Sequence, residues 1–402
     1  MHLTPPDQLA IFGGPPAFTE PLYVGRPNIP NRESLRQRID DLLDRRWMTN
    51  AGPFVKELER KIAEKQGVKH CIAMCNGTVA LEICIRALGL TGEVIVPSFT
   101  FVATAHALAW QEITPVFADV DPETHNLDPV RVESMITPRT TGIIGVHLWG
   151  RPCPIEPLTN LAQRRGLKLM FDASHAFGCS SGGKKIGAFG EAEVFSFHAT
   201  KFFNTAEGGA VLTNSDELAE KIRLMKNFGF AGFDNVIHVG TNGKMSELSA
   251  AVGLTCLETL DQVVEVNRAN HSTYRRELAG IPGVSLLEYD AREQSNYQYL
   301  ILEVDAGDAG LTRDELVNLL HAEKVIARRY FFPGCHRMEP YRSLQPHAGL
   351  LLPVTEKLTQ RVMALPTGTG IDEAGIVRLC HILRSAVGNA PEIARRLRSS
   401  NS

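Results

Sequence analysis

The chain has 402 residues, too many for one simple core, so two domains are expected. Its 44% hydrophobic and 22% charged content is ordinary for a soluble globular protein. A formal net charge of −3, with no basic block beyond the short tail Arg395–Arg398, argues against a nucleic-acid binder.

From the start, residues 1–30 are rich in Pro and Gly and read as an irregular arm without the basic and apolar regions of a signal peptide. Leu35, Ile39, Leu42 and Trp47 follow at helical spacing over Arg32–Trp47, and Phe54, Leu58 and Ile62 repeat the pattern over Pro53–Gln66. The intervening MTNAGP is a turn. His70–Met74 reads as a strand feeding Asn76-Gly77-Thr78 into a helix that stops near Gly89. Free N–H groups and a hydroxyl at such a helix start suit a phosphate, while simple capping by Asn or Thr explains the same residues. Glu93–Pro97 is a buried strand ending in SFTFVAT, where Phe101 is either a core residue or a face for a planar ring. Pro115–Ala118, Ile143–Val146 and Leu167–Phe171 continue the strands, with a helix through Ile155, Leu158 and Leu161. Short apolar strands alternating with amphipathic helices predict an α/β fold, a mainly parallel sheet flanked by helices. Ligands gather at the carboxyl ends of such strands, and Thr78, Phe101, Asp172, Ser196 and Lys201 all fall there.

Two stretches carry the chemistry, LMFDASHAFG (169–178) and VFSFHATKFFNTAEGGA (194–210). Lys201 lies among Phe195, Phe197, Phe202 and Phe203, which would partly desolvate its amine, lower its pKa and make it a nucleophile. Pyridoxal phosphate requires such a lysine for a Schiff base and a carboxylate such as Asp172 to keep its pyridine nitrogen protonated. Singly, Lys201 reads equally as a surface lysine, Asp172 as a cap and His175 as a core histidine.

Downstream, a helix starts at Asp216, residues 238–245 form a loop, and a long helical run extends from Ser246 towards Leu278. A smaller α+β C-terminal domain follows, with strands at Gln298–Glu303 and Val325–Ala327, a capping box at Thr312 and Glu315, and a last clear helix over Glu373–Val387. The expected organisation is an arm at 1–30, a large domain at 31–258 and a small domain at 259–402. No apolar run approaches a membrane span, and eight cysteines without a CxxC pair read as reduced, buried thiols. Together these point to the cytoplasm. No GxSxG, HExxH or P-loop is present, and no GxGxxG opens a helix after the first strand. No metal site is expected.

The segments NGTVALEI (76–83), PSFTFVAT (97–104), FDASHAFG (171–178), FSFHATKFFNTAEGGA (195–210) and GTNGKMSE (240–247) together resemble the sugar-nucleotide aminotransferases of the DegT/StrS type. The similarity runs from about Arg26 to the last helix. It implies the fold of pyridoxal-phosphate-dependent transferases of fold type I and pyridoxal 5'-phosphate as cofactor. By position, Lys201 matches the Schiff-base lysine that also moves the proton in both half-reactions, and Asp172 the partner of the pyridine nitrogen. His175 matches the residue beside the phenolic oxygen, Gly77, Thr78 and Ser196 the phosphate ligands, and Phe101 the stacking aromatic. Asn242 matches a phosphate ligand donated by the neighbouring subunit, implying a homodimer.

The implied partners are glutamate with 2-oxoglutarate and a nucleotide-linked keto sugar. His175 and the run HATKFFNTAEGG look more like enzymes that aminate C4 of dTDP-4-keto-6-deoxyglucose than like those that work at C3. The segment ARRYFFPGCHRMEPYR (327–342) is similar to sugar-side loops of that subgroup, making His198, Arg328 and Tyr330 candidate substrate contacts; a solvated basic loop is the plainer alternative. The rival readings are a 3-keto sugar-nucleotide aminotransferase, a pyridoxal enzyme acting on a free amino acid, and a non-catalytic cofactor-binding regulator.

Overall fold

The computed structural model describes residues 3–29 and 31–400. Met1, His2 and Pro30 of the expected arm, and Asn401 and Ser402 at the other end, lie outside the described residues. Seven strands form the main sheet: β1 (His70–Met74), β2 (Glu93–Pro97), β3 (Thr114–Ala118), β4 (Thr140–Val146), β5 (Lys168–Asp172), β6 (Ala192–Ser196) and β7 (Gly209–Thr213). Their spatial order is β1-β7-β6-β5-β4-β2-β3. Strand β7 runs antiparallel to β1 and β6, and the remaining pairs are parallel. Strands β2 and β7 are buried at every residue, as a sheet covered on both faces requires.

The helices over Gly77–Ala87, Ala103–Ala109 and Asp216–Met225 cover one face through residues such as Leu81, Leu108 and Ile222. On the other face lie the helices Pro53–Gln66 and Glu247–Glu258, with Leu58 and Ile62 fully buried. Each such aliphatic side chain contributes about 2 kcal/mol. A second unit holds three antiparallel strands in sequential order, β8 (Val284–Leu286), β9 (Leu300–Val304) and β10 (Val362–Leu365). Its core joins Leu300 and Leu302 to Tyr274, Leu316 and Leu383 from three helices. The capping box at Thr312 and Glu315 is formed on both sides.

Four expectations change. The long run from Ser246 is two helices, Glu247–Glu258 and Leu260–Leu278, broken at Thr259. The first packs on the main sheet's core, and the second begins there through Leu260 and Val263 and ends in the smaller core through Tyr274 and Leu278. A further helix, Ala390–Ser400, follows the one thought to be last, with Ile393 fully buried. The basic tail is therefore part of this amphipathic helix, and Arg396 pairs with Asp7 and Glu392. Expected strand Val325–Ala327 shortens to Val325–Ile326 and pairs in parallel with Leu22–Tyr23 of the N-terminal stretch, not with the smaller sheet. That stretch is less irregular than its composition implies: it carries two short 3-10 turns, and Leu9 enters the smaller core at 2% exposure.

All eight cysteines are free, seven of them buried. Burial pushes Cys84, Cys179, Cys335 and Cys380 up to about 12, so these thiols stay protonated. Among the described residues no helix is long and apolar enough to cross a membrane.

Candidate active site

A cleft of about 360 Å³ opens at the carboxyl ends of the parallel strands, where turns leave the sheet. Asn76, Gly77 and Thr78 line it from the turn after β1, Asp172 and His175 from the turn after β5, and Ser196, His198 and Lys201 from the turn after β6. Phe101 enters from the loop after β2, and Tyr299, Tyr330 and Phe331 close the cleft from the smaller unit.

The Asn76-Gly77-Thr78 turn caps its helix and borders the cleft at once. Asn76 caps the helix by accepting from the Val79 N–H at 2.8 Å. That leaves the first amides of an 11-residue helix and the Thr78 hydroxyl facing the cleft, the arrangement that binds a phosphate. Close approach makes the cradle: a Cβ on Gly77 would meet Ser196 Cβ at 2.9 Å. One on Gly209 of β7 would meet the Asn76 carbonyl carbon and the Gly77 nitrogen at 2.7 Å. Because those atoms are backbone, Gly209→Ala is expected to push the cradle away from β7, costing about 1–3 kcal/mol and weakening phosphate-ester binding. Thermal unfolding with and without pyridoxal phosphate checks this; an unchanged melting point and affinity would rule out the clash.

Asp172 is 5% exposed and ends β5. Thr104 Oγ1 donates to its Oδ2 at 2.8 Å, while Ser174 donates to Oδ1 from its hydroxyl at 2.6 Å and its N–H at 3.1 Å. These neutral donors fix the carboxylate without neutralising it. His175 accepts from the Trp149 N–H at Nδ1 over 3.3 Å. Burial, helped by the Lys201 charge, holds its pKa well below the usual histidine range. The ring is therefore neutral with its proton on Nε2, a donor.

Lys201 Nζ donates to Tyr299 Oη at 2.9 Å. Burial lowers its pKa to about 8, against the opposing pull of the Asp172 charge. Near neutral pH an appreciable fraction is thus free amine, the nucleophilic form. The flanking phenylalanines act differently from expectation. Phe195, Phe197, Phe202 and Phe203 are buried in the core beneath the loop, and none lines the cleft. They brace the loop through contacts such as Phe177 on Phe203, stacked with centroids 4.6 Å apart. Tyr299 and His175 are the aromatic neighbours that face Lys201 in the cleft.

Phe101 is 59% exposed, which removes the core-packing reading and leaves a free aromatic face over the cleft. His198 is exposed, with Nδ1 2.9 Å from Thr200 Oγ1 and Nε2 3.6 Å from Glu207. Tyr330 lines the cleft, but Arg328 does not. Arg328 borders an adjoining groove of about 420 Å³ that shares Thr100, Phe101, Tyr330 and Phe331 with the cleft. Its guanidinium lies 5.4 Å from the Tyr330 ring centroid. Asn242 is outside the cleft of its own chain: its backbone bridges to Asn227, and its carbonyl is 4.0 Å from Cys75 Sγ. Thr104, Ser174, Trp149 and Tyr299 were not singled out from the sequence; Thr104 and Ser174 sit within the quoted motifs PSFTFVAT and FDASHAFG. Among the described residues no cluster of His, Cys, Asp and Glu is arranged to hold a metal.

The arrangement combines a reactive amine, a fixed carboxylate, a neutral imidazole donor, an aromatic face and an anion cradle. Those features match a phosphorylated aromatic aldehyde such as pyridoxal phosphate group by group. The DegT/DnrJ/EryC1/StrS aminotransferase family matches residues 30–384 of the chain. A dTDP-4-amino-4,6-dideoxy-D-glucose transaminase from Shigella dysenteriae is 41% identical over 322 residues, covering 80% of this chain and 88% of that protein. A GDP-perosamine synthase from Caulobacter vibrioides is 35% identical over 363 residues, covering 89% and 96%. Among solved structures, DesI in the presence of its TDP-sugar product superposes with a TM-score of 0.94 at 50% identity, covering 98% of this chain and 99% of that one.

Proposed function

The chain belongs to the DegT/DnrJ/EryC1/StrS aminotransferase family, and from that premise we propose that it transfers an amino group from glutamate to the C4 ketone of dTDP-4-keto-6-deoxyglucose, giving dTDP-4-amino-4,6-dideoxyglucose. The observation that carries the chemistry is Lys201, its amine lowered to about 8, in one cleft with the buried carboxylate of Asp172. The choice of sugar rests on the name of the Shigella relative, at 41% identity, and DesI with its TDP-sugar product, at 50% identity, supports a TDP-linked substrate.

In this reading the cleft holds pyridoxal 5'-phosphate, which supplies an aldehyde that bonds amines and a ring that accepts the electron pair of a broken Cα–H bond. Gly77, Thr78 and Ser196 hold its phosphate at the helix start, and Phe101 covers one face of the ring. Asp172, fixed by Thr104 and Ser174, keeps the ring nitrogen protonated. His175 directs its Nε2–H to the phenolic oxygen. Lys201 Nζ is the group that would bond the aldehyde carbon and, as a free amine, would take the proton from Cα and return it one atom along. In the second half the same nitrogen moves the proton the other way. The cleft is lined on the smaller unit's side by Tyr299, Tyr330 and Phe331, which exclude water from the reacting carbon.

Arg328, His198 and Tyr330 are placed towards the nucleotide-linked substrate. The adjoining groove offers Arg328 for a diphosphate, with no ion-pair partner for its guanidinium among the described residues. We place Asn242 in the cleft of a neighbouring subunit as a phosphate ligand, which makes a homodimer the active unit. The cytoplasm is the proposed location, where nucleotide sugars and glutamate meet; the unpaired cysteines agree with a reducing compartment.

The test is incubation of the purified protein with glutamate, pyridoxal phosphate and either a 4-keto or a 3-keto dTDP-6-deoxyhexose, followed by NMR location of the new amine. An amine at C4 is the expected result. An amine at C3 would replace this reading with a 3-aminotransferase, and cofactor binding without any product would leave a non-catalytic regulator.

A further inference from the structure

Tyr299 is the one partner that Lys201 Nζ has within hydrogen-bond distance among the described residues, at 2.9 Å. It arrives from the opposite side of the cleft, one residue before β9 of the smaller sheet, whereas Lys201 stands on a loop of the main sheet. The phenol is held by its surroundings and not by Lys201. Its ring packs at 4.3 Å on His175 and edge-on at 5.5 Å against Trp149, and its backbone carbonyl lies 2.9 Å from Tyr289 Oη. Beyond Lys201, its hydroxyl has no hydrogen-bond partner among the described residues. Burial keeps that phenol protonated, well above the usual tyrosine range.

A hydroxyl is both donor and acceptor, unlike a carboxylate or an ammonium. The Lys201 ammonium donates a hydrogen to Tyr299 Oη. After deprotonation, the same Oη–H turns to donate to the amine lone pair. Contact therefore survives on either side of the pH at which Lys201 titrates, and no bond within Tyr299 breaks. A base that takes a proton and returns it a moment later is served by such a partner, since an aspartate in its place would favour the charged form far more strongly.

We propose that Tyr299 is a positioning residue for the aminotransferase chemistry, its phenol holding the free amine of Lys201 in place through both protonation states. The proposal rests on the functional reading above for its consequence, though the pairing itself can be measured without it. Tyr299→Phe removes one oxygen whose side-chain partner is Lys201 alone, so the aromatic packing is kept. A charge-assisted hydrogen bond is stronger than a neutral one; losing both penalises the ammonium more and lowers the pKa of the amine.

The experiment is performed on the full chain freed of cofactor. Lys201 is acetylated with acetic anhydride across a pH series, and its modification is followed by mass spectrometry. The wild-type midpoint is expected near about 8, and Tyr299→Phe is expected to lower it by about one pH unit. Tyr274→Phe, which removes a buried hydroxyl bonded to the Pro366 carbonyl in the smaller core, should leave it in place. With cofactor restored, Tyr299→Phe should lower kcat about tenfold to a hundredfold, with KM for the sugar nucleotide within about twofold. An unmoved midpoint in Tyr299→Phe, or an equal shift in Tyr274→Phe, overturns the proposal. A chain that labels as expected but transfers no amine would instead sink the functional reading and leave the pairing standing.

Discussion

Replacing Lys201 with alanine is expected to lower transamination by about four orders of magnitude or more, because one side chain serves as nucleophile and as proton carrier. The buried neighbours offer no substitute. Among the other groups lining the cleft, His175 is held neutral with Nδ1 already engaged by Trp149, and Asp172 has both oxygens occupied by Thr104 and Ser174. Lys201→Arg is expected to be as inactive as Lys201→Ala, since a guanidinium stays protonated and cannot serve as a base. That second variant separates the need for a positive charge from the need for a titrating amine. Product formation over hours gives the rate, and borohydride treatment followed by mass spectrometry tells whether cofactor still joins the chain. Residual activity above about one hundredth of wild type in either variant would remove Lys201 from its assigned role.

The second large effect concerns Asp172. Taking one charge out of a buried ion pair costs about 3–5 kcal/mol; at about 1.4 kcal/mol per decade, Asp172→Asn should slow the reaction about 10²–10⁴-fold. The amide keeps the size of the carboxylate and can still accept from Thr104 or Ser174, so the fold is retained and the charge alone is lost. Thr104→Val and Ser174→Ala each remove a donor but not the charge, and should cost about tenfold apiece. Measuring the rate alongside the affinity for pyridoxal phosphate separates loss of binding from loss of chemistry. An Asn variant retaining more than half the wild-type rate would refute the assignment of the pyridine nitrogen to Asp172.

Legibility in the sequence followed the locality of the cause. Strands His70–Met74 and Glu93–Pro97 and helix Pro53–Gln66 were read at the bounds they have, since each is bracketed by turn residues and carries its own periodicity. The positions of Asp172, Lys201, Thr78 and Phe101 were readable because strand ends in a parallel sheet converge on one edge. Tyr299 was not, for nothing in NYQYLIL marks one tyrosine as facing a lysine 98 positions earlier. The phenylalanines around Lys201 misled for a related reason: a run of apolar residues predicts burial but not whether they face the cleft or the core below it. Periodicity also runs unbroken through Thr259, whose backbone leaves the helical region and divides the run in two. The helix Ala390–Ser400 was hidden by the short interruption at Asn389 and by its cluster of arginines.

The span of chain that closes over Lys201 has a consequence for synthesis. The walls of the cleft come from Asn76 at one extreme and Phe331 at the other, with Tyr299 between. A nascent chain in which Lys201 has just left the ribosome thus carries the amine without its phenol, and the cradle without a roof. Closing so long a loop is entropically slow, so the cleft is among the last features to form as the polypeptide leaves the ribosome. Until then the amine is an ordinary exposed lysine, open to any aldehyde in the cell. A ligand that binds the completed cleft and not the partial chain would stabilise the finished fold by mass action.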